Sequence, residues 1–130
     1  MAALPDYFTI TLGGSLITRK NIDPDEQQIH AEVGHTDPAI FTLNNDGLLE
    51  SGDWYLGRFL VEDRSLLPKR VLWHKKGGEI DVGMIQKTTI EERNGELVIR
   101  NGGAVLAVID EKICGDLMNE NPVSVEIHEA

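Results

Sequence analysis

A strand, turn, strand pattern occurs twice in this chain, and it limits the available folds more than any other feature. The first copy spans residues 39–60. Ile40 to Leu43 is a short β-favouring run, and Asn44-Asn45-Asp46-Gly47 follows with residues that tolerate positive φ. Leu48-Leu49 resumes the apolar pattern, Ser51-Gly52-Asp53 breaks it, and Trp54 to Leu60 reads as a third strand. The second copy spans residues 88–108. There Asn94-Gly95 matches Asp46-Gly47, Leu97 matches Leu49, and Val105-Leu106-Ala107 matches Tyr55-Leu56-Gly57. A fainter echo opens the chain, with Phe8 to Leu12, the turn Gly13-Gly14, and Leu16-Ile17. Each copy predicts a tight antiparallel meander.

The remaining segments extend the same pattern. Phe8, Ile10 and Leu12 alternate with Tyr7, Thr9 and Thr11, which predicts one buried and one open face. Ile29 to Val33 alternates as well. Val71 to Lys75 predicts a strand that Gly77-Gly78 turns into another over Ile80 to Ile85. Ala104 to Ile109 is an apolar strand, and Pro122 to Ile127 alternates with Val123, Val125 and Ile127 on one side. Residues 111–121 leave open a loop or a short helical turn around Ile113, Leu117 and Met118. Nowhere do apolar residues keep helical spacing over the ~11 residues that a helix needs. The expectation is one all-β domain over residues 1–130. Its core should hold Phe41, Leu43, Leu49, Leu56, Val71, Leu97, Val105, Leu106, Val123 and Val125.

Charge narrows the partners. A formal net charge of −10 repels nucleic-acid phosphates over most of the surface. Residues 64–76 run against this trend, with Arg64, Lys69, Arg70, Lys75 and Lys76 and no acid. A basic island on an acidic body can steer an acidic partner, although charge runs are commonly just solvated faces. The single cysteine, Cys114, excludes an internal disulfide. No apolar run reaches membrane-spanning length, and the N-terminus lacks a signal-peptide pattern. The expected location is therefore cytoplasmic, or secreted by a route not visible in the chain. The oligomeric state stays open.

Four residues suggest a ligand site. Asp46, Asp53, Trp54 and Tyr55 put carboxylates and aromatics near turns, the mixture that accepts sugar hydroxyls and stacks on a pyranose face. The plainer reading makes both aspartates turn-formers and one of the aromatics core. His30, Glu32 and His35 offer metal-ligand chemistry, but at no zinc-site spacing, so no metal and no other cofactor are expected. Cys114 lacks an activating neighbour, and no nucleophile elbow or phosphate loop occurs. No catalytic residue is assigned, and a non-enzymatic protein is expected. Glu62 to Arg70 has the look of a peptidase-blocking loop. Arg64-Ser65 and Leu67-Pro68-Lys69-Arg70 combine basic and apolar residues with a proline that restricts the backbone.

The recurring strand, Asp/Asn-Gly turn and strand resembles the β-trefoil superfamily. The residues that carry the likeness are Phe41, Asp46-Gly47, Leu49, Gly52 and Tyr55-Leu56-Gly57. With Pro5, Tyr7 and Ile10 at its start, the chain is similar to small fungal trefoil lectins and protease inhibitors. That resemblance implies a β-trefoil; another closed β-barrel of short strands is the alternative. It also implies a lectin-like module that binds a glycan, or else a protein partner in the form of a peptidase inhibited through residues 62–70. The chain departs from the pattern in two ways. Neither Trp54 nor Trp73 has the Gln two positions earlier that marks ricin-type lectins, and the turn glycines are unevenly spaced.

Overall fold

The computed structural model describes residues 3–130, which form fourteen short strands and one 3-10 turn. The first seven strands are β1 (Phe8–Leu12), β2 (Ser15–Thr18), β3 (Gln28–His30), β4 (Glu32–Gly34), β5 (Thr42–Leu43), β6 (Leu49–Ser51) and β7 (Trp54–Gly57). After a long connection come β8 (Lys69–Arg70), β9 (Leu72–Lys75) and the 3-10 turn Val82–Met84. The last five are β10 (Thr88–Arg93), β11 (Glu96–Asn101), β12 (Ala104–Ile109), β13 (Lys112–Asp116) and β14 (Val125–Glu129). One sheet runs β10-β11-β12-β13-β4-β2-β1-β14, with β8 also on β13; the other runs β3-β9-β7-β6-β5. Phe8 and Phe41 stitch the two together by exchanging backbone hydrogen bonds of 3.0 and 2.7 Å. Among the described residues no helix is long and apolar enough to cross a membrane.

The hairpins follow from residues that accept left-handed backbone. Gly13-Gly14, Asn94-Gly95 and Gly102-Gly103 each place two successive residues at positive φ, the twist that suits a two-residue hairpin. At Gly13 a Cβ would also stand 2.8 Å from Val123 Cγ2, so a side chain is excluded twice over. The turn at Asn44 to Gly47 is built differently from its sequence counterpart at Asn94-Gly95. Only Gly47 has positive φ, and Asn44 Oδ1 accepts from the amides of Asp46 and Leu48 at 2.9 and 3.0 Å.

The register of the five-stranded sheet sorts its side chains into two rows. Ile29, Trp73, Leu56, Leu49 and Leu43 face each other across the strands and point to the core. Gln28, His74, Tyr55, Glu50 and Thr42 form the next row, on the opposite face because side chains alternate along a strand. Trp73 is fully buried and stacks on Phe41 at 5.8 Å with 7° between the rings. Such a pair contributes about 0.5–1.5 kcal/mol beyond the area it buries. The Trp73 indole N–H has no hydrogen-bond partner, a cost of about 1–3 kcal/mol that the stack and the burial must offset.

Three segments meet in a closed ring of backbone hydrogen bonds. The amide of Ala31 donates to the Val71 carbonyl (3.0 Å), that of Val71 to Ile113 (3.1 Å), and that of Ile113 to Ala31 (2.9 Å). All three side chains belong to the core. The ring explains why Ile29 to Val33 is not the single strand its alternation suggests. At Ala31 the chain changes partners, so β3 pairs with β9 while β4 pairs with β2. Val71 divides β8, on β13, from β9, on β3 and β7, in the same way.

Other expectations need correction. Residues 112–116 form β13, neither loop nor helical turn, because Asp110 and Glu111 at φ 52 and 67 reverse the chain in two residues. Ile80 to Ile85 is not a strand. Asp81 caps the 3-10 turn by accepting from Gly83 N at 2.9 Å, and only Ile85 bridges to a neighbour, Phe59. Of the expected core, Phe41, Leu49, Leu56, Val71 and Leu106 are buried, and Leu43, Val123 and Val125 pack half-buried against it. Leu97 and Val105 are only half-buried. Val105 alternates with the buried Ala104 and Leu106 and so falls on the other face of β12.

Candidate functional site

The connection from β7 to β8 is long, exposed and tied down at both ends. Its first residue, Arg58, is buried, and its amide donates to Asn101 Oδ1 at 2.7 Å. The guanidinium donates to the Asn101 carbonyl at 2.9 Å and grips Glu62 with two bonds, Nε to Oε2 at 3.1 Å and Nη2 to Oε1 at 2.8 Å. A paired fork of this kind is among the stronger polar contacts a protein makes. Gly115 makes room for it, since a Cβ there would lie 2.7 Å from Arg58 Cδ.

Lys69 ties the other end. It is 5% exposed, and its ammonium donates to Asp63 Oδ1 and to Ser65 Oγ, the latter at 3.0 Å. Asp63 Oδ1 also accepts from the Ser65 amide at 3.0 Å and hydroxyl at 2.6 Å. The Lys69 bond, with the Ser65 bonds behind it, pulls the Asp63 carboxyl down to about 2. Ser65 therefore donates a hydrogen bond to Asp63 and accepts one from Lys69. The bonds among the three residues act as a brace across the loop. Above the brace stand Leu66 and Leu67, 65% and 70% exposed, with Leu60 and Val61 also open to solvent. A cavity of about 220 Å³ adjoins the brace, lined by Phe59, Val61, Pro68 and Leu72 together with the charged Glu62, Asp63, Lys69 and Arg70.

The sequence-predicted loop residues thus divide. Arg64, Ser65, Leu67 and Arg70 lie on the exposed side, while Lys69 is turned inward as part of the brace. Its burial was hidden in the sequence because the partner that holds it, Asp63, lies within the same polar run.

The four-residue ligand constellation does not come together. Asp46 and Asp53 lie in the turns at opposite ends of β6. Trp54 is buried in the core and offers no open ring, whereas Tyr55 is on the other face. That face gathers residues that the sequence had not assigned to the ligand site. Glu50 is the cross-strand partner of both Tyr55 and Thr42. It accepts from Asn44 Nδ2 at 2.9 Å and from Lys76 Nζ at 3.1 Å, and Lys76 sits 5.0 Å from the Tyr55 ring centre. Partial burial works against ionisation of Glu50, but the Asn44 and Lys76 bonds outweigh it and hold the carboxyl below its ordinary range. Beside it opens a cleft of about 390 Å³ lined by Tyr7, Ile40, Thr42, Glu50 and Gly52. Glu50 could have been found by counting back from Tyr55 across the Gly52-Asp53 turn. Tyr7 had no such signal.

The histidines are occupied otherwise. A carbonyl can only accept, so His30 Nε2 donates to Ile113 O at 2.8 Å, and His74 Nε2 donates to Gly57 O at 2.8 Å. His74 Nδ1 then accepts from Gln28 Nε2 at 3.2 Å, and Phe59 covers the ring at 5.8 Å. Burial lowers the pKa of both imidazoles, against the opposing effect of their carbonyl partners. Glu32 pairs with Lys112, and His35 is exposed. Among the described residues no three His, Cys, Asp or Glu side chains converge on a metal position. Cys114 is buried in β13, and burial, then the charge of Asp116, raises its thiol pKa. No protein-family model, curated protein or solved structure matches this chain.

Proposed function

We propose that this protein is a non-enzymatic binding module that blocks a peptidase with the loop between β7 and β8. One observation carries the reading: four large aliphatic side chains stand exposed on a loop whose two ends are fixed by ion pairs to the buried Arg58 and Lys69. Exposed apolar clusters mark contact surfaces, and a loop ordered beforehand loses little entropy on binding. A loop that stays rigid in a peptidase cleft resists the distortion that cleavage requires. The finer architecture in this reading is a β-trefoil. The three-way hydrogen-bond ring, the recurring glycine hairpins and the pairing of β1 with β14 support it.

The test is inhibition of a panel of serine, cysteine and aspartic peptidases. One class should be blocked near one-to-one stoichiometry, and an inert panel would discard the reading. Carbohydrate binding is the second reading, favoured by the exposed Tyr7 ring beside the pinned Glu50 carboxylate. A glycan array tests it: a hit should disappear in Tyr7→Ala, and a blank array removes it.

A further inference from the structure

Building on the inhibitory-loop reading, we infer that the primary contact is the Leu66–Leu67 pair, and that the target is a peptidase with an uncharged, apolar primary pocket.

The loop offers three kinds of primary residue, and the structure separates them. Lys69 is withdrawn, since it is buried and its ammonium is bound to Asp63 and Ser65. Arg64 is exposed, but the chain that carries it is strongly acidic overall. A pocket that selects a basic side chain must carry an acid. It would bring that acid toward a chain of net charge −10. An apolar pocket meets no such repulsion.

The leucines are placed to enter one. Asp63 Oδ1 accepts from the Ser65 amide at 3.0 Å, and Ser65 Oγ accepts from the Leu67 amide at 3.4 Å. Two successive side-chain turns therefore fix the backbone around the exposed Leu66 and Leu67, and Lys69 bonds the side chains that form both turns. Of the two, Leu66 is the primary residue. The bond after Leu67 leads into Pro68, whose φ is fixed near −65°, a poor match to the extended register of a peptide in a cleft. With Leu66 in the pocket, Pro68 instead stiffens the segment beyond it. Arg64 and Arg70 remain at the rim, where charge affects the rate of encounter more than the final affinity.

The experiment measures inhibition constants against two peptidase sets, one with apolar primary pockets and one with an acid at the pocket base. The variants are Leu66→Asp, Leu67→Asp and Arg64→Ala, each checked for unchanged thermal unfolding. The expected result is inhibition of the apolar-pocket set, weakened about a hundredfold by Leu66→Asp and less by Leu67→Asp. Arg64→Ala should change it by no more than about threefold. Inhibition confined to the acid-pocket set and abolished by Arg64→Ala would overturn this assignment and leave the inhibitory loop standing. Inhibition that survives both leucine substitutions would overturn it too, by placing the contact elsewhere. A panel with no inhibited enzyme would remove the inhibitory loop itself.

Discussion

Residues 46–58 and 94–110 follow the same course to a buried leucine and then part. Each runs from a turn through a strand and a glycine-containing turn, at Gly52 or Gly102, to a buried leucine, Leu56 or Leu106. Beyond β12 the chain turns at once, with Asp110 and Glu111 leading into β13 and Ile113 entering the hydrogen-bond ring. Beyond β7 it leaves through Arg58 and makes a long excursion before Val71 reaches the same ring. The destination in the core is shared, and the route differs. Packing therefore fixes where a connection begins and ends, while its length is free to carry a contact surface, as is common for loops on a rigid scaffold. A long connection then needs its own internal ties, which here are Arg58 with Glu62 and Lys69 with Asp63 and Ser65.

The shared part should dominate stability. Leu56→Ala and Leu106→Ala each remove a fully buried side chain and should each cost about 2–5 kcal/mol in denaturant unfolding. The two values should agree closely. If one variant loses less than about 1 kcal/mol, the positions are not structural equivalents.

The differing part is sharpened by Glu62→Ala, which strands a buried guanidinium. Glu62 keeps some exposure, so the loss should be about 2–3 kcal/mol, below the cost of breaking a fully buried pair. Amide hydrogen exchange should quicken around residues 59–69 and stay unchanged in β10 to β13. Uniform quickening over both regions would show that the loop is not an independent unit.

The smallest effect concerns the position third after each ring residue, His74 in one segment and Asp116 in the other, both buried. Burial depresses the folded pKa of His74 below its ordinary value, so the unfolded chain binds protons more readily in that range. The neutral ring's contribution is complete above about pH 6.5 and is lost as pH falls toward the folded value. His30 is shifted the same way, so His74→Gln should reduce the slope of stability as pH falls below about 6.5, without flattening it. An unaltered slope would show that His74 is not the group that titrates.

The sequence by itself determined what depends on neighbours along the chain. Alternation placed Phe8, Ile10 and Leu12 inward, glycine and asparagine marked the hairpins at Gly13-Gly14 and Asn94-Gly95, and the absence of a helical period predicted an all-β chain. These are local effects of pleat geometry and backbone sterics. Only the tertiary structure decided where a strand exchanges partners. Ala31 and Val71 look like ordinary strand residues, and their amides leave one ladder because the other ring members, distant in sequence, lie within reach. It also decided which polar groups turn inward. Lys69 sits in a charge run that reads as solvated and Arg58 in a segment that reads as strand, yet both are buried, because Asp63, Ser65, Glu62 and Asn101 converge to satisfy their charge. Trp54, set among turn residues, fills the core instead of facing a ligand, since its strand's parity is fixed by the pairing of β6 with β7. Local chemistry sets the pitch and the turns; burial and the pairing of distant groups set which side of each strand works.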